Sequence, residues 1–362
     1  MLGLYVHVPF CAKKCPYCDF YSVPWRIPKE DAYLNAILRD FAQYKERKLA
    51  ADTLYFGGGT PSLIRPQTIS AIIDAAKQCF VLTDDAEITM EANPCTVTAQ
   101  RAKAWADAGI NRVSLGMQSM HSDELKLLGR SHRANGIVEA VSHLRDAGIN
   151  NISLDIMMAL PHQTQKQVMD TIDFAASLQV EHISAYMLQI EEGTPFAESE
   201  EIAFCPTEEE TAELYLAAVE HLEACGYPQY EISNFAKPGY QSRHNNKYWL
   251  SVDYLGFGPA AHSCFEGKRF SYPADLDAYV QSGEIEYADS VQDAEEYAML
   301  RLRLTEGLCF EDYRNHGGDA DRLKKQCQKY KNSGLLCLDD AKITLTAKGF
   351  LLSNALIADL LG

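Results

Sequence analysis

The sequence predicts an α/β protein: a partial (β/α)6, TIM-like barrel followed by a smaller C-terminal helical, winged-helix-like domain. Three observations predict it. Six apolar strand-like runs alternate with amphipathic helical patterns over the first 188 residues, the signature of a parallel sheet with right-handed crossovers. The pentapeptide Asp-Ala-Gly-Ile-Asn occurs at 107–111 and again at 146–150, each time ending a helix with a glycine suited to the left-handed cap and leading into a strand. Past residue 294 the order becomes helix, helix, hairpin. Six βα units are short of the eight that close a full barrel, so the sheet is expected to stay open.

In chain order, 2–8 reads as a buried strand that Pro9 stops, and 29–48 as a helix with Tyr33, Ile37, Leu38, Phe41 and Tyr44 on one face. Strands follow at 53–57, 87–92, 112–116, 152–158 and 183–188, with helices at 66–79, 98–108, 134–147 and 166–178 between them. Pro206-Thr207 introduces a helix to about Cys225. The segment 227–270 is rich in Gly, aromatics and His and shows little helical periodicity. Helices return at 294–307 and 319–330, then a hairpin at 335–345 turning through Asp339-Asp340, then a helix at 346–361. The domains expected are 1–226 for the barrel, 227–290 as a connecting segment and 291–362 for the C-terminal domain.

Composition narrows the function. Fifty acidic against 33 basic side chains give a net charge of −17, which argues against a nucleic-acid surface, where a basic stripe supplies the affinity. No apolar run reaches the ~18 residues of a membrane span. Eleven cysteines without a signal-peptide pattern fit a reducing, cytoplasmic setting. Eight of them, including Cys79, Cys225 and Cys327, are scattered and read as free thiols.

The other three carry chemistry. Cys11, Cys15 and Cys18 crowd the loop at the C-terminal end of the first strand, where barrel enzymes work. Three thiolates leave one iron of a four-iron cluster open to a small molecule. Zinc is the rival, with His7 or Asp19 as the nearest fourth ligand. Gly57-Gly58-Gly59-Thr60-Pro61 follows the second strand and lets main-chain groups approach a ligand, although a plain tight turn explains such a run equally well. Glu91, Gln118, Arg130 and Asp155 lie in or just beyond the C-terminal parts of strands, where polar groups need partners.

Cys11-x3-Cys15-x2-Cys18 with Tyr17 before the third cysteine resembles the signature of the radical S-adenosylmethionine (SAM) enzymes. In that family the open iron chelates SAM, and the reduced cluster cleaves it to a 5′-deoxyadenosyl radical. The stretches Tyr5-Val-His-Val-Pro-Phe-Cys11, Gly57 to Pro61, Met90-Glu-Ala-Asn-Pro94, Ser114-Leu-Gly-Met-Gln-Ser119 and Leu154-Asp155 with Leu160-Pro161 are similar to the oxygen-independent coproporphyrinogen oxidase family. This resemblance implies a [4Fe-4S] cluster on the three cysteines and SAM contacts at Tyr5, Gly58, Gly59, Thr60, Glu91, Gln118, Arg130 and Asp155, with weaker matches on or near Met187 and His262.

Departures point to a subgroup. True oxidases of the family have a further cysteine where this chain has Phe20, and an extension ahead of the first strand. Here His244-Asn245-Asn246-Lys247-Tyr248-Trp249 is similar instead to the HNxxYW motif of the HemW-type haem chaperones. It implies a haem site at His244, Tyr248 and Trp249, an imidazole being a good axial ligand and the aromatic faces suiting a macrocycle. The expected function is haem binding and delivery to an acceptor protein. The alternative is radical decarboxylation of porphyrinogen propionates, and the departures point away from that enzyme. Oligomeric state stays open, a homodimer being one outcome.

Overall fold

The computed structural model describes residues 1–288 and 293–362. The expected boundary at 290/291 lies outside the described residues. Numbering strands along the chain, β1 (Leu2–Val8), β2 (Ala50–Gly58), β3 (Val81–Ala92), β4 (Arg112–Gln118), β5 (Asn151–Met158) and β6 (His182–Met187) run parallel in the order 1 to 6. Helices α1 (Ile27–Ala42), α2 (Pro66–Cys79), α3 (Ala99–Ala108), α5 (Ala134–Asp146) and α6 (Gln165–Ser177) cross over between them, with a short α4 (Ser122–Leu127) before α5. Gly109 and Gly148, in the repeated pentapeptides, take φ of 111° and 93°.

The main differences from the expectation are at the ends of elements and in the segment after residue 227. Helix α1 stops at Ala42 and passes into a 3-10 turn, Lys45–Arg47. The 227–270 segment is not irregular. It supplies β7 (Gln229–Glu231), β8 (Asn234–Ala236), α8 (Arg243–Trp249), β9 (Tyr254–Phe257), β10 (His262–Phe265) and β11 (Lys268–Ser271), followed by α9 (Leu276–Gln281) and β12 (Glu286–Ala288). Strands of three or four residues are too short to show a period in sequence. They extend one sheet at both edges: β8 pairs antiparallel with β6, and β9 pairs parallel with β1. The sheet has twelve strands in the order β12-β11-β10-β9-β1-β2-β3-β4-β5-β6-β8-β7 and is open.

Alternation along the parallel strands decides what this sheet encloses. Leu4, Leu54 and Ile88 are register partners, as are Val6, Phe56, Met90, Val113 and Ile152, and all belong to the apolar core under the helices. The intervening positions are polar or glycine: Tyr5, Tyr55, Thr89, Arg112 and Asn151 in one row, Glu91, Ser114, Ser153 and His182 in the next. Side chains one residue apart point to opposite faces. The inner face is therefore polar, and the barrel is not filled like an apolar core.

Helix α7 (Glu208–Ala224) packs on α6 and starts on a capping box, Thr207 with Glu210. The C-terminal domain holds α10 (Ala294–Arg301), α11 (Phe310–Asn315), α12 (Ala320–Cys327) and a three-stranded sheet in the order β13 (Leu308–Cys309), β15 (Lys342–Leu345), β14 (Leu336–Leu338). The expected final helix is two, α13 (Ala347–Leu351) and α14 (Ser353–Leu361). Among the described residues no helix is long and apolar enough to cross a membrane.

Candidate functional site

The cysteine loop leaves the C-terminal end of β1 and is fastened on several sides. Val23 N–H donates to Pro9 O at 2.6 Å and Trp25 N–H to Cys11 O at 3.1 Å, closing its stem. Phe196 N–H donates to Pro16 O at 3.0 Å. The glycine loop is attached to the same stem, with Gly59 N–H bonded to Val8 O at 2.9 Å and Thr60 N–H to Phe10 O at 2.8 Å. A Cβ on Gly59 would sit 2.8 Å from Val8 O and 2.9 Å from Phe10 O, so only glycine lets the two loops meet. Thr60 Oγ1 lies 3.5 Å from Cys11 Sγ.

Cys11, Cys15 and Cys18 are free and half-buried, and burial, then the neighbouring cysteines, pushes the Cys18 thiol up. Structural zinc needs a fourth protein ligand, and His7, the buried candidate, has both ring nitrogens engaged, by Tyr5 O–H and Tyr21 O. Three thiols without a free buried fourth ligand among the described residues suit a cluster with one open corner better than structural zinc.

Below the loop, the expected SAM contacts line the polar face. Tyr55 O–H and Gly58 N–H donate to Glu91 at 2.9 and 3.2 Å. Burial, then the nearby Asp155, pushes the Glu91 carboxyl up to about 7. Asp155 accepts from Ser114 Oγ at 2.9 Å; burial raises it too, while Ser114 and Ser184 pull it back. Arg130 donates from Nη2 to Tyr17 O–H at 2.6 Å, tying the cysteine motif to β4's loop. Gln118, at φ 66°, accepts from Tyr186 O–H at 3.3 Å. His7 Nε2 donates to Tyr21 O at 3.0 Å, which leaves Nδ1 to accept from Tyr5 O–H at 3.2 Å. Tyr5, Glu91, Arg130 and Asp155 all keep partial exposure despite their depth, so solvent-sized space reaches them. Of the weaker positions, Met187 ends β6 half-buried and His262 is exposed on β10.

The HNxxYW segment lies elsewhere. It forms α8, whose first N–H groups, those of Arg243 and His244, both donate to Glu87 at 3.1 Å. His244 reaches Thr53 Oγ1 with Nδ1 at 2.8 Å and Tyr248 O–H with Nε2 at 2.9 Å. It stacks on Tyr55, ring centroids 5.0 Å apart. Burial, then Lys247, lowers its pKa to about 3, so the imidazole is neutral. Lys247 anchors to Asp52 at 2.6 Å and Met1 O at 2.9 Å. Thr53 sits five residues before Gly58, roughly 17 Å along the strand, so α8 closes the end of the barrel opposite the cysteines. The expected haem residues and SAM residues thus share one lumen and meet within it, Tyr5 stacking on His244 with ring centroids 6.3 Å apart. His244 is not open-handed here, since both its nitrogens have partners.

Sequence reading missed Thr53, Tyr55, Glu87 and Arg112 on this face. Their signal was the period-two alternation of polar and apolar residues in each strand.

A profile of the Radical SAM superfamily matches residues 5–175, and one of the HemN C-terminal domain matches 289–352. Fold and cysteine loop together define a protein of the radical SAM class. The chain is 33% identical over 377 residues to the Heme chaperone HemW of Bacillus subtilis, covering 100% of both chains. It is 34% identical over 372 residues to the Heme chaperone HemW of Escherichia coli, covering 97% of this chain and 96% of the relative. The corresponding protein of Lactococcus lactis is 32% identical over 360 residues, covering 97% and 94%. The chain belongs to the Heme chaperone HemW family. The solved structure of coproporphyrinogen III oxidase (HemN) from Escherichia coli matches with a TM-score of 0.85 at 22% identity, covering 99% of this chain and 90% of that one, a likeness of fold.

Proposed function

We propose that the protein is a haem chaperone that holds a [4Fe-4S] cluster on Cys11, Cys15 and Cys18, binds SAM against the lumen beneath it, and passes haem to an acceptor protein. The observation that carries this reading is the loop pair: three free, half-buried thiols in one short loop, fastened to a glycine loop on a polar lumen. Bound there, the cluster and SAM would supply redox chemistry. The chain's own part is positional: Glu91 and Asp155 accept hydrogen bonds from a ribose, Arg130 meets the SAM carboxylate, Gln118 adds a polar contact, and Gly58, Gly59, Thr60 and Tyr5 border the methionyl end.

The haem contacts are proposed at His244, Tyr248 and Trp249. Because both His244 nitrogens are engaged, ligation there requires the imidazole to give up Thr53 or Tyr248, and haem uptake is coupled to opening the base of the barrel. The three-part division at 226 and 290 and a homodimer belong to the same proposal.

Anaerobic reconstitution tests it. Cys→Ser at 11, 15 or 18 should abolish the brown cluster absorbance, while Cys79→Ser and Cys327→Ser should keep it. Haem should bind stoichiometrically to wild type and weakly to His244→Ala, with His244→Asn as a better-packed second variant. Efficient turnover of coproporphyrinogen by the wild type would instead establish the oxidase reading.

A further inference from the structure

We propose that Asp173, His221 and Cys225 form a second metal site, for Zn2+, that clips α6 to α7 on the outside of the barrel. It rests on nothing in the SAM or haem reading. Sequence reading left Cys225 among the scattered thiols, because its partners come from two helices. His221 and Cys225 are four residues apart, and the 2.9 Å bond from Cys225 N–H to His221 O continues the helical turn through the cap. Both side chains therefore leave one face of the helix. Asp173 meets them from α6: its Oδ1 accepts from His221 Nε2 at 2.7 Å and from the Cys225 thiol at 3.9 Å. Among the described residues this is the only group of three or more His, Cys, Asp or Glu whose donor atoms all lie within 4.8 Å of one another.

The donor set selects the ion. A thiolate and an imidazole exclude Mg2+ and Ca2+, which take oxygen ligands. Thiolate, imidazole and carboxylate together suit Zn2+, which is redox-inert and takes four ligands, here three from protein and one water. The thiolate and carboxylate carry two negative charges, which match the ion. Asp173 is exposed and the other two half-buried, so an ion can enter from solvent. Binding displaces the thiol proton, which leaves to buffer, and moves the imidazole proton from Nε2 to Nδ1. Uptake should therefore weaken as pH falls.

The test is Zn2+ titration of the full-length, cluster-loaded protein, in which the triplet is already occupied, repeated in a Cys11→Ser, Cys15→Ser, Cys18→Ser background. One saturable equivalent is expected in both. His221→Ala or Cys225→Ser should weaken it by roughly 100-fold, the upper end of what even outer-shell changes cost a metal site, while leaving cluster absorbance unchanged. Co2+ added to the triple-serine protein should give a thiolate charge-transfer band that Cys225→Ser removes. No saturable Zn2+ binding, or uptake equal in wild type and both variants, would overturn the site. A missing Co2+ band in otherwise folded protein would do the same.

Discussion

At the scale of single residues, the lumen holds charge that folding alone does not want. Glu91 has a folded pKa of about 7 against an ordinary 4.5. A carboxyl raised in this way is harmless below its unfolded pKa and costs stability as pH rises from about 4.5 to about 7, because the unfolded chain gives up its proton first. Allowing for its partial exposure, the cost at neutral pH is about 2 kcal/mol. Glu91→Gln should therefore raise the melting temperature of the cofactor-free protein above pH 7 and leave it nearly unchanged at pH 4.5. The same change should weaken SAM binding, since the amide accepts from ribose hydroxyls less well. In the wild type SAM affinity should fall as pH drops through about 7, as the carboxylate is lost. A melting curve indifferent to this change at both pH values would show that Glu91 ionises in the fold as readily as in the unfolded chain. His244 is the converse case, a buried group that stays neutral and satisfied. Removing it orphans Thr53 and Tyr248 and opens a cavity, so His244→Ala should cost about 2–4 kcal/mol, with His244→Asn costing less, in denaturant melts of the cofactor-free protein.

At the scale of elements, two short pieces hold the ends of the lumen. Helix α8 has seven residues, too few to be stable alone, and Glu87 from β3 accepts its first two N–H groups. Glu87→Gln keeps the shape but halves the acceptors and drops the charge, and should cost about 1–2 kcal/mol. Hydrogen exchange should show α8 opening well before the parallel strands, and protection equal to that of β2 would refute its dependence on this cap. At the other end, Gly59→Ala forces a methyl against two carbonyl oxygens, so the glycine loop must leave the cysteine stem. Lower cluster yield on reconstitution with little change in far-ultraviolet dichroism is the expected result. Of these two elements only the glycine loop was legible in the sequence, because three consecutive glycines are a local signal. The capping of α8 joins residues 87 and 243, and no local pattern records a contact of that range. The same holds for the strands after residue 227, whose three or four residues are too few for a period of two to repeat convincingly. The long helix starts were legible to within a residue or two, since Pro66, Thr98 and Thr207 are capping or first-turn residues.

At the scale of the molecule, the distinctive property is a barrel that is polar inside and apolar outside, and the sequence displayed it in Gly-Leu-Tyr-Val-His, Glu-Ile-Thr-Met-Glu, Arg-Val-Ser-Leu and His-Ile-Ser-Ala-Tyr. Reading these strands as apolar runs with polar ends found the residues near the cysteines and lost those at mid-barrel. Arg112 is the clearest loss. It is 1% exposed, makes no ion pair within 4.0 Å among the described residues, and its Nε has no partner. Thr89 and Asn151, its register neighbours, also carry unpaired buried oxygens. An isolated buried cation is costly unless carboxylates share its surroundings, and Arg112 does lower both Glu91 and Asp155 electrostatically. Burial still outweighs it at both acids, so Arg112 offsets part of their rise without abolishing it. Arg112→Met preserves bulk and removes the charge, so the midpoint of the pH dependence of SAM binding should move upward, and Arg112→Lys should restore part of it. Loss of SAM affinity by the same factor at every pH, with no movement of the midpoint, would mean that Arg112 serves packing instead of charge.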